Sequence, residues 1–308
     1  MQKGLILRST GSWYEVANED GHIYKGRLRG KIKLDNLKVT NPIAVGDYVG
    51  FEVEDVAENT VIISKIFERE NYIIRKSTHK TGHGHIIAAN LDQAFLIATL
   101  ALPRTSMGFI DRFLVSAESF RIPVFLVFNK TDILSEEGLV LQAELCRLYE
   151  KIGYECLQIS ALEDTNFDLL NQKLHHKKTL IAGHSGVGKS TLLNRIAPNI
   201  HQKTAKVSNY SQKGVHTTTF AEMFEIKSQT YFIDTPGIKE LGLVDIEGTE
   251  VGHYFPEMRE LLGKCRYHNC KHFNEPDCAV LKAVKSGEIA VSRYESYLSI
   301  LSGEDNRR

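Results

Sequence analysis

A lysine, a hydroxyl and several carboxylates stand in this sequence at the intervals that nucleotide chemistry needs. Residues 179–191 read Thr-Leu-Ile-Ala-Gly-His-Ser-Gly-Val-Gly-Lys-Ser-Thr and contain the pattern G-x-x-x-x-G-K-S. In such a segment the backbone N–H groups of a flexible loop turn inward on a phosphate at the positive end of the following helix. Gly183, His184, Ser185, Gly186, Val187 and Gly188 make the loop. Lys189 would reach the terminal phosphates and assist their transfer, the Ser190 hydroxyl would bind Mg²⁺, and Thr191 extends the cradle. Earlier in the chain stands Asn129-Lys130-Thr131-Asp132. The Asp132 carboxylate can accept two hydrogen bonds from guanine, where adenine offers a lone pair and a C–H, so guanine is the expected base. Asn129 would hold the loop, the Lys130 stem would pack along the ring, and the backbone at Ser160-Ala161 would reach the guanine carbonyl. Downstream, Asp234-Thr-Pro-Gly237 supplies a carboxylate that can support the metal through its hydration shell and an N–H that can approach the γ-phosphate. A threonine of Gly214-Val-His-Thr-Thr-Thr219 would complete the Mg²⁺ shell, with Thr218 preferred to Thr217 or Thr219. A second cluster, Cys265, Cys270, His272 and Cys278, offers three thiolates and one imidazole, enough for a closed structural zinc site. His268 competes for the imidazole position.

These groups need elements to hold them. Leu180-Ile-Ala182 reads as a short apolar strand before the loop, and Leu192, Leu193 and Ile196 as the buried face of the helix after it. Apolar runs at 95–100, 124–128 and 156–159 alternate with helical patterns at 109–120, 139–152 and 167–174, which predicts a doubly wound α/β domain with a mainly parallel sheet. Strands are expected at 221–226 and from Tyr231 to the Asp234 turn. From Gly4 to Phe67, five short alternating segments separated by turn residues predict a small Greek-key barrel of the OB type. Lys25, Arg27, Arg29, Lys31, Lys33 and Lys38 fall in one of its segments beside a single acid, Asp35, and such a barrel commonly binds single-stranded or irregular nucleic acid. Residues 75–85, polar and glycine-containing, read as a linker, and 279–301 carry helical spacing.

The bulk numbers set bounds. With 308 residues there is room for two or three domains, and 38 basic against 38 acidic side chains leave no net basic excess, so any nucleic-acid surface must come from local segregation of charge. Neither the apolar runs nor residues 1–10 suit a membrane span or a signal peptide, which predicts a cytoplasmic protein that does not engage membranes. Five cysteines, three of them clustered, suit metal binding in a reducing compartment better than a disulfide framework.

The base-recognition motif precedes the phosphate loop, the reverse of the ordinary order, so the central domain is expected to be circularly permuted. The barrel, the permuted domain with Gly-His-Ser-Gly-Val-Gly-Lys-Ser and Gly-Val-His-Thr-Thr-Thr, and the cysteine-rich tail together resemble the RsgA or YjeQ-type family of ribosome small-subunit-dependent GTPases. The resemblance implies three domains: an OB-type RNA-binding barrel at 1–70, a circularly permuted GTPase domain at 71–240, and a zinc-binding domain with C-terminal helices at 241–308. It implies GTP hydrolysis with Mg²⁺ during late maturation of the small ribosomal subunit, binding to that subunit's rRNA, and one structural zinc with His272 as the fourth ligand. A monomer is expected. Ile238 stands where many GTPases place a water-orienting glutamine, which predicts slow unaided hydrolysis. The resemblance suggests His216 as the substitute, or groups supplied by bound rRNA. Because the segment after Gly237 leads into the C-terminal region, nucleotide state is expected to move that region. Two other readings remain in play: a permuted GTPase of the large subunit, and an RNA-binding checkpoint module for which GTP is only an allosteric ligand.

Overall fold

Alternation of apolar and polar side chains builds the N-terminal strands β1 (Gln2–Ser9), β2 (Tyr14–Asn18), β3 (Ile23–Leu28), β4 (Tyr48–Asp55) and β5 (Thr60–Ile66). Then follow β6 (Tyr72–Lys76), β7 (Gly84–Ala89), β8 (Gln93–Ala98), α1 (Met107–Ser119), β9 (Val124–Phe128), α2 (Glu136–Ile152), β10 (Glu155–Gln158) and α3 (Phe167–Leu174). The chain continues through β11 (Lys178–Ala182), α4 (Lys189–Ile196), β12 (Glu222–Lys227), β13 (Thr230–Asp234), α5 (Ala279–Ser286) and α6 (Val291–Ser302). The computed structural model describes residues 1–30, 39, 41–76, 84–163, 166–198, 221–234 and 248–303. It divides into two units, the first made of Met1–Phe95, Phe167–Ala182 and Lys189–Gly242, the second of Leu96–Asn166, Gly183–Gly188 and Leu243–Arg308.

In the first unit β1 pairs with both β2 and β4, β2 with β3, β3 in parallel with β5, and β5 with β4, which closes a five-stranded barrel. Its inward positions are Ile6, Tyr14, Val16, Val49, Phe51, Val61 and Ile63, joined by Ile43. Closure removes free sheet edges, and the expected OB-type barrel is what forms. Of the basic segment, Arg27 is paired with Glu54, while Lys31, Lys33, Asp35 and Lys38 lie outside the described residues.

Residues 75–85 do not read through as a linker. Their ends belong to β6 and β7, which pair antiparallel as a separate two-stranded sheet. The apolar Ile73, Ile74, Ile86 and Ile87 are buried, and two side-chain amides, the buried Asn90 and the half-buried Asn41, tie the hairpin and its end to the first unit: Asn90 Nδ2 donates to the Gly46 carbonyl at 2.9 Å and Asn41 Nδ2 to that of Ile86 at 2.8 Å. Arg69 spans Asp47 with two bonds of 2.7 Å. A polar composition hid two strands that pair with each other, one of which is also held at Ile86 by the distant Asn41. The rest of the first unit is sheet: β11 pairs in parallel with β13, β13 antiparallel with β12, and β12 with β1 through Arg8 opposite Glu222.

In the second unit β9 and β10 pair in parallel. Helix α1 starts at the N-cap Ser106, whose hydroxyl accepts from Phe109 N–H, and α2 starts at Ser135 in the same way and ends at Gly153. Among the described C-terminal residues, Val251, Phe255, Met258, Val280, Ala283, Ile289, Tyr297 and Ile300 pack in one cluster that also takes in Val115 of α1. The helical pattern over 279–301 is two helices, because Gly287, with φ of 76°, ends α5 in the left-handed region. Beside this core, Arg293 of α6 is fully buried. Its guanidinium donates to Asp111 Oδ1 at 2.6 Å and to both Glu257 carboxylate oxygens at 2.7 and 3.1 Å, and Tyr149 donates to the same Asp111 oxygen at 2.9 Å. Burial alone would push the guanidinium's pKa down, but the two carboxylates hold it above its ordinary value, so the charge stays.

Candidate functional site

The phosphate-loop segment leaves β11 at Ala182 and enters α4 at Lys189. Two of its glycines are obligatory. Gly183 has φ of 144° and an added Cβ would lie 2.4 Å from the Ile97 carbonyl oxygen; Gly188 has φ of 97° and its Cβ would lie 2.3 Å from Asn129 Nδ2. Both close approaches arise because the loop folds onto the ends of β8 and β9. His184 is held by a ring contact with Phe109 of α1, centroids 3.8 Å apart. Ser185 and Gly186 are exposed and Val187 is buried.

Asn129 is the joint of the site. It is 2 % exposed, its Nδ2 donates to the Val187 carbonyl at 2.8 Å, and its Oδ1 accepts from Ala161 N–H at 3.0 Å. One amide thus ties the phosphate loop to the base-recognition strand end, the second unit bringing together segments that the chain order separates. Lys130 adopts a left-handed conformation, φ of 67°, that swings its ammonium onto the Leu102 carbonyl. Asp132 sits in the helical turn Thr131–Ile133 and accepts from the buried Ser160 hydroxyl at 2.6 Å, which fixes the carboxylate plane while leaving Asp132 itself only half-buried. Ser160 in turn accepts from Glu163 N–H at 3.1 Å. The Leu102 carbonyl and Phe109 were not singled out from sequence. The first has no side-chain signature, and the second reads as one more apolar residue of α1.

In the first unit, Lys189, Ser190 and Thr191 begin α4, at the positive end of its helix dipole. Asp234 ends β13 opposite Ile181 and Glu222. Burial, opposed by Arg8 and reinforced by Glu15 and Asp234, raises the Glu222 pKa. His216, Thr217, Thr218, Thr219, Gly237, Ile238 and the segment leading on from them lie outside the described residues.

The second cluster assembles fully. One ligand atom from each of Cys265, Cys270, His272 and Cys278 lies within 4.8 Å of every other, a group able to hold one metal ion. Cys265 Sγ is 3.6 Å from His272 Nδ1 and 3.9 Å from Cys278 Sγ, and His272 Nδ1 is 3.4 Å from Cys278 Sγ. His268 is exposed and His272 is 8 % exposed, so the imidazole of the group is that of His272. Backbone donors turn toward the sulfurs: Ala279 N–H to Cys265 and Leu281 N–H to Cys278, each at 3.4 Å. Burial pushes the Cys270 thiol up to about 12 and lowers the His272 pKa. Glu275 braces the loop, its carboxylate accepting from the backbone of Lys271, Phe273 and Asn274 at 2.7, 2.8 and 3.1 Å.

Comparison with known proteins agrees with this geometry. Residues 66–244 match the RsgA GTPase family model and residues 3–61 the RsgA N-terminal domain model. A protein of Cytophaga hutchinsonii named small ribosomal subunit biogenesis GTPase RsgA is 52 % identical over 99 % of this chain and 100 % of its own. One of the same name from Bacteroides fragilis is 48 % identical over 98 % and 97 %. Among solved structures, YjeQ from Thermotoga maritima superposes with a TM-score of 0.78 at 34 % identity, covering 100 % of this chain and 99 % of that one. YloQ, described as a circularly permuted GTPase, gives 0.75 at 28 % identity, covering 100 % and 96 %. With its closed N-terminal barrel, its reversed motif order and its three-cysteine, one-histidine cluster, this chain belongs to the RsgA GTPase family.

Proposed function

We propose that this chain is a GTPase that binds the small ribosomal subunit and hydrolyses GTP during that subunit's late maturation, the chemical step timing release of the factor. The relatives named for small-subunit biogenesis support the biological setting. The observation that carries the site is the double hydrogen bond of Asn129, which couples the phosphate loop to the Ser160-Ala161 strand end beside Asp132. In this reading Asp132 accepts from the guanine ring N–H and amine, Ser160 holds that carboxylate in plane, the Ser160-Ala161 backbone reaches the guanine carbonyl, and the Lys130 stem lies along the ring. Gly183 to Gly188 wrap the phosphates with backbone N–H groups, with Lys189 on the terminal oxygens and Thr191 at the start of α4. Mg²⁺ supplies charge neutralisation for the transferred phosphoryl. Ser190 and Thr218 are its protein ligands, Asp234 acts through its hydration shell, and Gly237 N–H meets the γ-phosphate. His216 orients the attacking water in place of the glutamine that Ile238 replaces, with the ribosome as the alternative source of that group.

The four-residue cluster fits zinc. A tetrahedral ion with sulfur at about 2.3 Å and nitrogen at about 2.05 Å separates sulfurs by about 3.8 Å and sulfur from nitrogen by about 3.6 Å. The sulfur pair here stands 3.9 Å apart and the sulfur–nitrogen pairs 3.6 and 3.4 Å. Four protein ligands leave no open position, so the ion's role is structural. A monomeric, cytoplasmic factor completes the reading, and no helix among the described residues is long and apolar enough to cross a membrane.

A turnover assay titrated with purified small subunits tests the proposal. GTP hydrolysis should rise with added small subunits and not with large ones, and Asp132→Asn should transfer preference from guanine to xanthine, whose C2 carbonyl an amide N–H can meet. Nucleotide binding without stimulated turnover would favour a checkpoint module with GTP as an allosteric ligand.

A further inference from the structure

The metal-ligand loop presents aromatic surface that its own core does not use. Phe273 is 59 % exposed and Tyr267 42 % exposed, although each lies within five residues of a metal ligand. An exposed Phe on a slack loop would be unremarkable, but this backbone is fixed. Glu275 takes the N–H groups of Lys271, Phe273 and Asn274, and Tyr294 OH donates to the carbonyls of His272 and Phe273 at 2.7 and 3.4 Å. Tyr297 OH takes the Lys271 carbonyl. The ring is therefore held out toward solvent by a preorganised frame, the condition under which an apolar side chain gives up little entropy on binding.

The charges around it are segregated. The acids of the loop are occupied internally: Glu275 by backbone N–H groups, and Asp277 by Lys282 at 2.9 Å and Arg266 at 3.7 Å. Lys264, Arg266, Lys271 and His268 remain exposed, with the Arg266 guanidinium 5.6 Å from the Tyr267 ring centre. Rigid aromatic faces set among exposed cations match the chemistry of an unstacked nucleobase flanked by its phosphates. A protein partner with an acidic, apolar patch would use the cations but has no need of two exposed aromatic rings.

We propose that Phe273, with Tyr267 beside it, is a stacking platform for an unpaired base of single-stranded RNA, and that Lys264, Arg266 and Lys271 hold the adjoining phosphates. This rests on the reading of the chain as a factor of the small ribosomal subunit. The base–ring contact is sequence-tolerant, since every base has a π-face, while the cations make binding salt-dependent.

The test uses the full, zinc-loaded chain and a short single-stranded RNA carrying one 2-aminopurine, whose fluorescence is quenched on stacking. Saturable quenching is expected, with a duplex of the same sequence binding more weakly and unquenched. Phe273→Ala should weaken binding by about ten- to a hundredfold and abolish the quench. Phe273→Trp should retain both, and intrinsic GTP turnover should be unchanged in either variant. Wild-type affinity in Phe273→Ala would overturn the proposal, as would a Phe273→Ala chain that loses small subunits while the wild type leaves the probe unquenched, the signature of a protein partner on this face. Co-sedimentation with small subunits separates the two readings. If the wild-type chain sediments with them and the probe stays bright, the platform fails alone; if it neither sediments nor quenches, the proposed function fails with it.

Discussion

Replacing Arg293 by Met should cost about 3–5 kcal/mol, the range for removing one partner of a fully buried ion pair. The structure puts the change at the severe end. Arg293 and Asp111 side chains are both 0 % exposed, and Glu257 is 12 % exposed, so no water can rehydrate Asp111 where the guanidinium leaves. Three charge-assisted bonds go at once, and Asp111 Oδ2 already has no hydrogen-bond partner among the described residues. Glu257 can turn outward; Asp111 would keep only the Tyr149 hydroxyl. The same argument says that the penalty belongs mostly to the stranded carboxylate and not to a lost attraction. Asp111→Asn made together with Arg293→Met should therefore recover part of the loss, with a coupling of at least about 1.5 kcal/mol between the two sites. Arg293→Lys should fall between, since a point ammonium cannot span two carboxylates bidentately. Urea unfolding of the four proteins, read by a probe in the C-terminal segment, gives the cycle. A single Arg293→Met loss below about 1 kcal/mol, or a double variant as unstable as the sum of the singles, would refute the view of this cluster as a charge balance.

Three further outcomes follow from the geometry. Gly188→Ala places a Cβ 2.3 Å from Asn129 Nδ2 at a φ of 97°, so binding of a fluorescent guanine nucleotide should fall by about a hundredfold or more while far-UV circular dichroism is kept. Removal of metal with a strong chelator, or Cys265→Ser, should unravel the loop around residues 265–278 and expose the cluster formed by Phe255, Met258 and Val280, seen as accelerated hydrogen exchange there and in α5. Burial alone would raise the Glu275 pKa, but the backbone N–H groups of Lys271, Phe273, Asn274 and Glu275 itself more than offset it and hold it at about 2. A carboxylate depressed in this way stabilises the fold above its unfolded pKa near about 4.3 and loses that contribution as pH falls toward about 2. Glu275→Gln should flatten the acid limb of a stability–pH profile over that window, and an unchanged limb would show that the loop is braced by something else.

Local chemistry was readable in the sequence because it is written in contiguous residues. The phosphate loop, Asn129 to Asp132 and the cysteine cluster all depend on spacing that a strand end or a tight turn dictates, and the barrel strands depend on alternation that survives in a single chain. What stayed illegible depends on partners far away in sequence. The β6–β7 hairpin looked like a linker because its polar ends carry no apolar alternation, and the contacts that fix it and its flanks, Asn41 to Ile86, Asn90 to Gly46 and Arg69 to Asp47, join residues that do not advertise their partners. The Arg293–Asp111 pair joins positions 182 residues apart, and each charge alone reads as surface. The packing of the C-terminal helices on α1 was hidden for a related reason: Val115 lies on a helix already explained by the central domain. His272 over His268 could not be decided by spacing, and burial is what separates them.

One strand pairing bears on how the molecule is made. β1 and one of its neighbours, β12, are far apart in the chain: β12 begins at Glu222, so Arg8 of β1 waits for its sheet partner while the intervening polypeptide is synthesised. Barrel closure through β2 and β4 keeps β1 in register during the wait, which turns the N-terminal module into a template on which the last strands of the central sheet are laid. Removing β1 would then cost more than a barrel strand: Glu222 of β12 would lose its sheet neighbour Arg8, and self-association through that uncovered margin during production would be the first symptom.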